Sequence, residues 1–327
     1  MAIPKVVDQR IIDENFVKWN IPRPDKDYRV VVHCSTYKHE SYIEDALKGF
    51  VMQKTNFPFC AIVIDDGSPD RTPAIIKQYA ASYPDIIKPI LLGENHMQHG
   101  MSRNPYFEEW HKRTKYIAMC EGDDYWTDPH KLQKQVDFLE EHQNYSFTFH
   151  KAVVLQKGEI DSSLYAHLEN RDYSAAEIYD VWSVPTASVV YRRTMCGTKR
   201  PKHVVFGDIL LFLNLLDNGL AYCMDFTGSV YRRHSGGISY SISYNLAKEL
   251  FYQYREMESL FPNVRKISQR KKCEYLEYLI WDNAKSDVWK FRFYYMWLHK
   301  HLFLSSFFTT TIISYMLKPL CKSICNR

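Results

Sequence analysis

From Tyr28 onward, short runs of β-branched residues alternate with amphipathic segments of helix length, and this alternation restricts the fold more than any other feature. It predicts β-α-β units on a mainly parallel sheet. Strands are expected over residues 29–34, 61–65, 86–92 and 116–120, with helices near 42–53 and 72–83 and a less regular one near 104–112. That spacing suits right-handed crossovers. A helix over 131–142 follows, its Leu132, Val136 and Leu139 at helical spacing and Pro129 just ahead of it. Further strands are expected over 146–155 and 187–192, separated by a polar stretch around 158–180 that reads as an insertion near a site. Gly207-Asp208 opens a helix reaching Leu216, residues 221–225 and 229–232 read as a short hairpin, and everything from Asn245 reads as helix.

In open α/β sheets, ligands bind outside the carboxyl ends of the strands, and here those ends are rich in carboxylates. The first strand runs into Ser35-Thr36-Tyr37-Lys38-His39-Glu40, the second into Asp65-Asp66-Gly67-Ser68, and the fourth into Glu121-Gly122-Asp123-Asp124. No glycine lies between Val30 and Lys48, so the glycine-rich dinucleotide fingerprint is absent, as is a Walker loop. Acidic residues gathered at neighbouring strand ends repel one another unless a cation or hydrogen-bond donors sit among them. Hard oxygen ligands point to Mg²⁺ or Mn²⁺ bridging to phosphate oxygens. Asp65, Asp66 and Asp123 also fit as turn and helix-cap residues, and either pair alone leaves that reading open.

Taken together, these motifs resemble the family-2 glycosyltransferases of GT-A fold over residues 28–234. Val31-Val32-His33-Cys34-Ser35-Thr36-Tyr37-Lys38-His39-Glu40 looks like that family's opening strand and loop, and Ile62-Val63-Ile64-Asp65-Asp66-Gly67-Ser68 like its Val-Asp-Asp-Gly-Ser strand end. Gly100-Met101-Ser102-Arg103-Asn104 is similar to its Ala-Arg-Asn segment, and Glu121-Gly122-Asp123-Asp124 stands where the family carries its Asp-x-Asp signature. The resemblance implies that Tyr37 stacks on the nucleotide base, that Asp66 accepts a hydrogen bond from the base edge, and that Asp123 holds the ribose. Asp124 would coordinate the metal, Ser35 and Glu40 would line the nucleoside loop, and Arg103 would contact the donor. Asp208 would deprotonate the acceptor hydroxyl in an inverting displacement. The element Tyr231-Arg232-Arg233-His234 would return to the donor site, with His234 on the metal and an arginine on phosphate. The implied partners are a nucleotide-sugar, uridine diphosphate favoured, and a glycan or lipid-linked acceptor of surface-polysaccharide synthesis. His33-Cys34, Lys38 and Glu121 depart from the family's usual residues, which bears on donor selectivity. Gln269-Arg270-Lys271-Lys272-Cys273 lacks the Gln-x-x-Arg-Trp of processive synthases, so one sugar per encounter is expected. A sugar-nucleotide nucleotidyltransferase would need a glycine-rich basic loop that is missing. A silent sugar-nucleotide or glycan-binding module would keep Asp66 and Asp124 without needing Asp208.

With 327 residues and 46% apolar content the chain can bury a large core. The expected division is an N-terminal extension over 1–27, a catalytic domain over 28–239 and a helical region over 240–327. A formal charge of +4, with no basic run interleaved with stacking aromatics, argues against nucleic-acid binding. The eight cysteines are scattered and residues 1–13 lack an apolar signal core, so free thiols and a cytoplasmic setting are expected. Residues 284–327 hold seven Lys/Arg against one Asp, and 302–317 are uncharged. That run is short of the about 20 apolar residues of a span. It fits an interfacial anchor on the cytoplasmic face of an anionic membrane, or a helix packed on the domain.

Overall fold

The computed structural model describes residues 9–181, 183–235, 243–280 and 287–298, which form two compact units. The first opens with α1 (Gln9–Lys18), β1 (Tyr28–Thr36), α2 (Ile43–Val51), β2 (Phe59–Asp65), α3 (Thr72–Ser82), β3 (Ile87–Leu91), α4 (Asn104–His111) and β4 (Thr114–Met119). It continues through β5 (Tyr125–Trp126), α5 (Lys131–Glu141), β6 (Tyr145–Gln156), β7 (Glu159–Asp161), β8 (Asp172–Tyr173), α6 (Ala175–Val181), β9 (Val190–Arg192), α7 (Gly207–Leu216) and β10 (Leu220–Arg233).

The strands form one mixed sheet in the order β3-β2-β1-β4-β9-β6-β10-β5, with β7 on β6 and β8 on β10. Strands β1 to β4 pair in parallel, whereas β9 runs antiparallel between β4 and β6. All seven residues of β2 are buried, as a strand covered on both faces requires. The period-two alternation of β1 sends Val30 and Val32 to one core and Val31 to the other. On the first face α2 packs Ile43, Ala46, Leu47 and Phe50, spaced as one helical stripe. On the second, Tyr106, Phe107 and Trp110 of α4 meet Ile12, Phe16 and Ile21, so the segment ahead of Tyr28 contributes to the core.

The expected hairpin over 221–232 is instead one strand, β10, parallel to β6 along its whole length. Its register shifts between Met224 and Ser229 absorb the Asp225-Phe226-Thr227-Gly228 segment whose composition suggests a turn. A side chain at Gly228 would meet the Phe226 ring at 2.7 Å and the His150 ring at 3.0 Å, so those rings would have to shift to admit one. Cys34, Cys60, Cys120 and Cys223 are buried free thiols.

The second unit holds residues 201–205 together with α8 (Tyr244–Leu260), α9 (Arg265–Ile280) and α10 (Val288–Leu298). Its core is Tyr244, Ala247, Phe251, Leu276, Leu279, Ile280 and Phe291. Segment 201–205 is pinned to α8, where Gln253 Oε1 accepts the Val205 amide at 2.6 Å and His203 Nδ1 lies 2.9 Å from Glu249. Among the described residues no helix is long and apolar enough to cross a membrane, and residues 299–327, with the uncharged run, lie outside them.

Candidate active site

The loops after β1 and β2 are stitched together before any ligand is considered. Lys38 takes the left-handed conformation, φ 57°, and its amide donates to Ser68 Oγ at 2.8 Å. The next amide, of His39, donates to Thr72 Oγ1 at 2.9 Å, and Glu40 Oε2 accepts the Arg71 amide at 2.9 Å. Asp65 is spent on the turn, accepting the Ser68 amide at 2.9 Å and its hydroxyl at 2.5 Å. These bonds turn the His39 ring toward the end of β4.

The acidic loop after β4 passes close under β1. Gly122 donates to the Ser35 carbonyl at 2.9 Å, and a side chain at Gly122 would meet the Thr36 Cβ at 2.6 Å. Residue Arg232 of β10 then clamps this loop. Its amide donates to Asp124 Oδ1 and its Nη1 to the Asp123 carbonyl, each at 2.8 Å, while Nη2 pairs with Asp45. The guanidinium also lies 4.5 Å from the Tyr125 ring centre and 5.3 Å from that of Tyr42. Arg232 thus ties the acidic loop to α2.

Two residues on, His234 Nε2 lies 3.0 Å from Asp123 Oδ2, and His39 Nε2 is 3.8 Å from the same oxygen. One ligand atom from each of His39, Asp123 and His234 lies within 4.8 Å of the others. Adjacent ligands of an octahedral cation with bonds of about 2.1 Å stand about 3 Å apart, so this set fits a divalent ion. The expected pairing of Asp124 with His234 is not what the fold brings together. Asp123 faces the imidazoles, and the buried Asp124 faces the strand amide. Burial, then the neighbouring Asp123, hold the Asp124 carboxyl well above its ordinary value. Sequence reasoning does not reach His39, although its place two residues after Tyr37 in the strand-end loop is a usable signal. Burial lowers its imidazole toward the neutral form a metal ligand needs.

On the opposite flank, burial pushes Glu121 up to about 7, Arg103 opposing and Asp123 and Asp208 adding to the rise. Asp208, at the start of α7, is half-buried. Its Oδ2 accepts the Thr186 hydroxyl at 3.1 Å and its Oδ1 the Ile209 amide at 2.8 Å, and burial raises its carboxyl above the ordinary value. Tyr165, from the 158–180 stretch, is raised chiefly by burial and then by Tyr231, Asp124 and Asp208, which puts that stretch beside the site. Asp66 is buried and accepts the His96 and Met97 amides at 2.9 and 3.2 Å, with Arg103 Nη1 3.9 Å away. Half-buried Tyr37 and exposed Glu40 sit on the β1 loop, and buried Ser35 ends β1.

Residues 31–196, half of the chain, match the sequence model of glycosyl transferase family 2. The chain belongs to that family. Within it, an uncharacterized protein of Mycobacterium tuberculosis is 39% identical over 207 residues, which is 63% of this chain and 59% of that protein. The match therefore spans about three fifths of the relative's length. Glycosyltransferase EpsE of Bacillus subtilis is 35% identical over 118 residues, 36% of this chain and 40% of that one. Among solved structures, S. aureus TarS in complex with UDP-GlcNAc superposes with a TM-score of 0.54 at 16% identity, over 79% of this chain and 75% of TarS. That likeness shows the fold, the GT-A arrangement with a helical C-terminal region. In this family-2 chain the matched span takes in the β1 loop and the acidic loop, whereas Asp208 and His234 lie beyond it.

Proposed function

We propose that this family-2 chain is an inverting, non-processive glycosyltransferase that moves one sugar from a uridine-diphosphate donor to a hydroxyl of a glycan or lipid-linked acceptor. The observation that carries the reading is the convergence of His39, Asp123 and His234 at the ends of β1, β4 and β10. His39, Asp123 and His234 would hold a divalent cation, which would supply neutralisation of the diphosphate leaving group. Two imidazoles in the set favour Mn²⁺ over the harder Mg²⁺. The S. aureus relative of like fold, solved with UDP-GlcNAc, supports the uridine donor.

Tyr37 offers its ring to the base. The Asp66 carboxylate, which already holds two amides, keeps lone pairs for the base edge, and Arg103 stands on the donor side. Asp208 takes the acceptor's proton as the new bond forms. Burial makes its carboxylate a stronger base, and Thr186 and the Ile209 amide fix its direction.

Two measurements test this. In calorimetry, UDP should bind with Mn²⁺ and weaken in EDTA. Equal affinity in both removes the metal, and tighter GDP binding removes the uridine assignment alone. Replacing Asp208→Asn should lower transfer by ~10²–10⁴-fold with donor affinity and melting temperature kept. An early-melting variant with normal turnover per folded molecule would show that Asp208 is a helix-start residue and not the base.

A further inference from the structure

The loop that aims Asp66 has no regular structure of its own. Residues 93–100 belong to no strand or helix, yet the His96 and Met97 amides each hold one oxygen of the buried Asp66 carboxylate, at 2.9 and 3.2 Å. What fixes this loop comes from outside it. The buried His96 ring sets Nδ1 3.2 Å from the Glu94 carbonyl and Nε2 3.1 Å from the Tyr106 hydroxyl of α4, and that hydroxyl meets Asn15 Nδ2 of α1 at 2.7 Å. A carbonyl only accepts, so Nδ1 donates to Glu94. Nε2 then accepts the Tyr106 proton, and the Tyr106 oxygen accepts from Asn15, which satisfies each group in turn. Trp19, just past α1, closes another side: its ring lies edge-on to His96 at 5.6 Å, and a side chain at Gly93 would meet its Nε1 at 2.4 Å. Gly67 takes φ 70°, and a side chain there would meet the Glu94 carbonyl carbon at 2.5 Å, so the loop after β2 and the loop after β3 pack backbone on backbone.

We infer that α1 is a working part of the donor site: through Asn15, Tyr106 and His96 it holds the 94–97 loop in the position that points Asp66 at the nucleotide base. His96 is then a positioning residue for base recognition. The inference rests on the reading of Asp66 as the acceptor of the base edge. A carboxylate accepts best near its own plane, so a turn of the Asp66 plane weakens the bond to a base N–H. A buried chain of hydrogen bonds is stiff only while every member is satisfied, and this one ends on a side chain of α1. Asn15 lies ahead of residues 31–196, which match the family, so the base is read with help from a segment outside that span. The chain of bonds includes none of His39, Asp123 and His234, which leaves the diphosphate end of the donor as an internal control.

Deleting α1 would strip Ile12 and Phe16 from the core, so the test uses point variants of the full chain. Asn15→Leu and Tyr106→Phe each break the network with little change in volume. In calorimetry with Mn²⁺, each should weaken UDP binding by about tenfold, the scale of one buried hydrogen bond lost, while inorganic pyrophosphate binds as it does to wild type. Asp66→Asn should show the same split. Hydrogen exchange at the 94–97 amides should speed up in both network variants. The inference is overturned if Asp66→Asn loses UDP affinity and the two network variants do not. It is also overturned if they lose pyrophosphate and UDP alike, which marks a merely structural brace. If Asp66→Asn binds UDP like wild type, or if uridine adds nothing to pyrophosphate affinity in wild type, the reading of Asp66 falls and the inference falls with it.

Discussion

Two aspartate pairs stand at neighbouring strand ends, Asp65-Asp66 at β2 and Asp123-Asp124 after β4, alike in sequence and unlike in what faces them. Around the first pair every oxygen meets a donor from the chain itself: the Ser68 amide and hydroxyl on Asp65, the His96 and Met97 amides on Asp66. In the second pair only Asp124 is treated that way, by the Arg232 amide, while the Asp123 carboxylate looks at two imidazoles. A carboxylate that holds backbone amides builds the loop. One that meets two imidazoles keeps the place where the proposed cation would bind. Residue type therefore does not assign the role; the donor opposite does.

Breaking the second pair should give the largest effect. Asp123→Asn removes a charged ligand, and the loss of several kcal/mol of charge stabilisation predicts transfer down by ~10³-fold or more and cation-dependent UDP binding gone. Asp124→Ala strands the Arg232 amide instead. It should cost about 1–3 kcal/mol of stability, and folded molecules should still bind UDP more tightly with Mn²⁺ than in EDTA. Calorimetry on both variants decides the matter, and the reverse pattern would return the metal to Asp124.

The first pair sharpens the contrast at lower amplitude. Asp65→Ala leaves the Ser68 amide without its acceptor, for a similar cost of about 1–3 kcal/mol in urea unfolding. Turnover per folded molecule should hold close to wild type. A collapse of turnover at full stability would mean that Asp65 meets substrate.

The smallest effect concerns Glu121, whose carboxyl is pushed up to about 7 by burial. Its folded form binds the proton more tightly than the unfolded chain does, so its contribution is present at acid pH and is lost as pH rises through about 7. In EDTA, Glu121→Gln should melt above wild type at about pH 8, and the gap should close by about pH 5. A constant gap would mean that Glu121 is already ionised across that range.

The parallel half of the sheet is legible in the sequence because local pattern and tertiary demand agree there: β2 is apolar at every position and α2 carries one clean stripe. Places where the chain must be read against a distant partner are not. His39 is brought to Asp123 through the left-handed Lys38 and a hydrogen bond from its amide to Thr72, thirty-three residues away in sequence. Whether Asp123 or Asp124 turns outward is decided by Arg232, more than a hundred positions later. In the same way Asp225 to Gly228 has turn chemistry, but β6 continues past it and keeps β10 straight on.

Arg232 has a further consequence for the site. Because it binds both the acidic loop and α2 through Asp45, His234 reaches Asp123 with its spacing settled during folding. On the proposed function, a cation arriving there would have little chain left to order, and its affinity would be set by ligand chemistry more than by flexibility. The stretch over 158–180 carries none of these three ligands. On the proposed function, acceptor preference would drift by rewriting that stretch while the frame of His39, Asp123 and His234 stays as it is, which would make the two halves of the reaction separately evolvable.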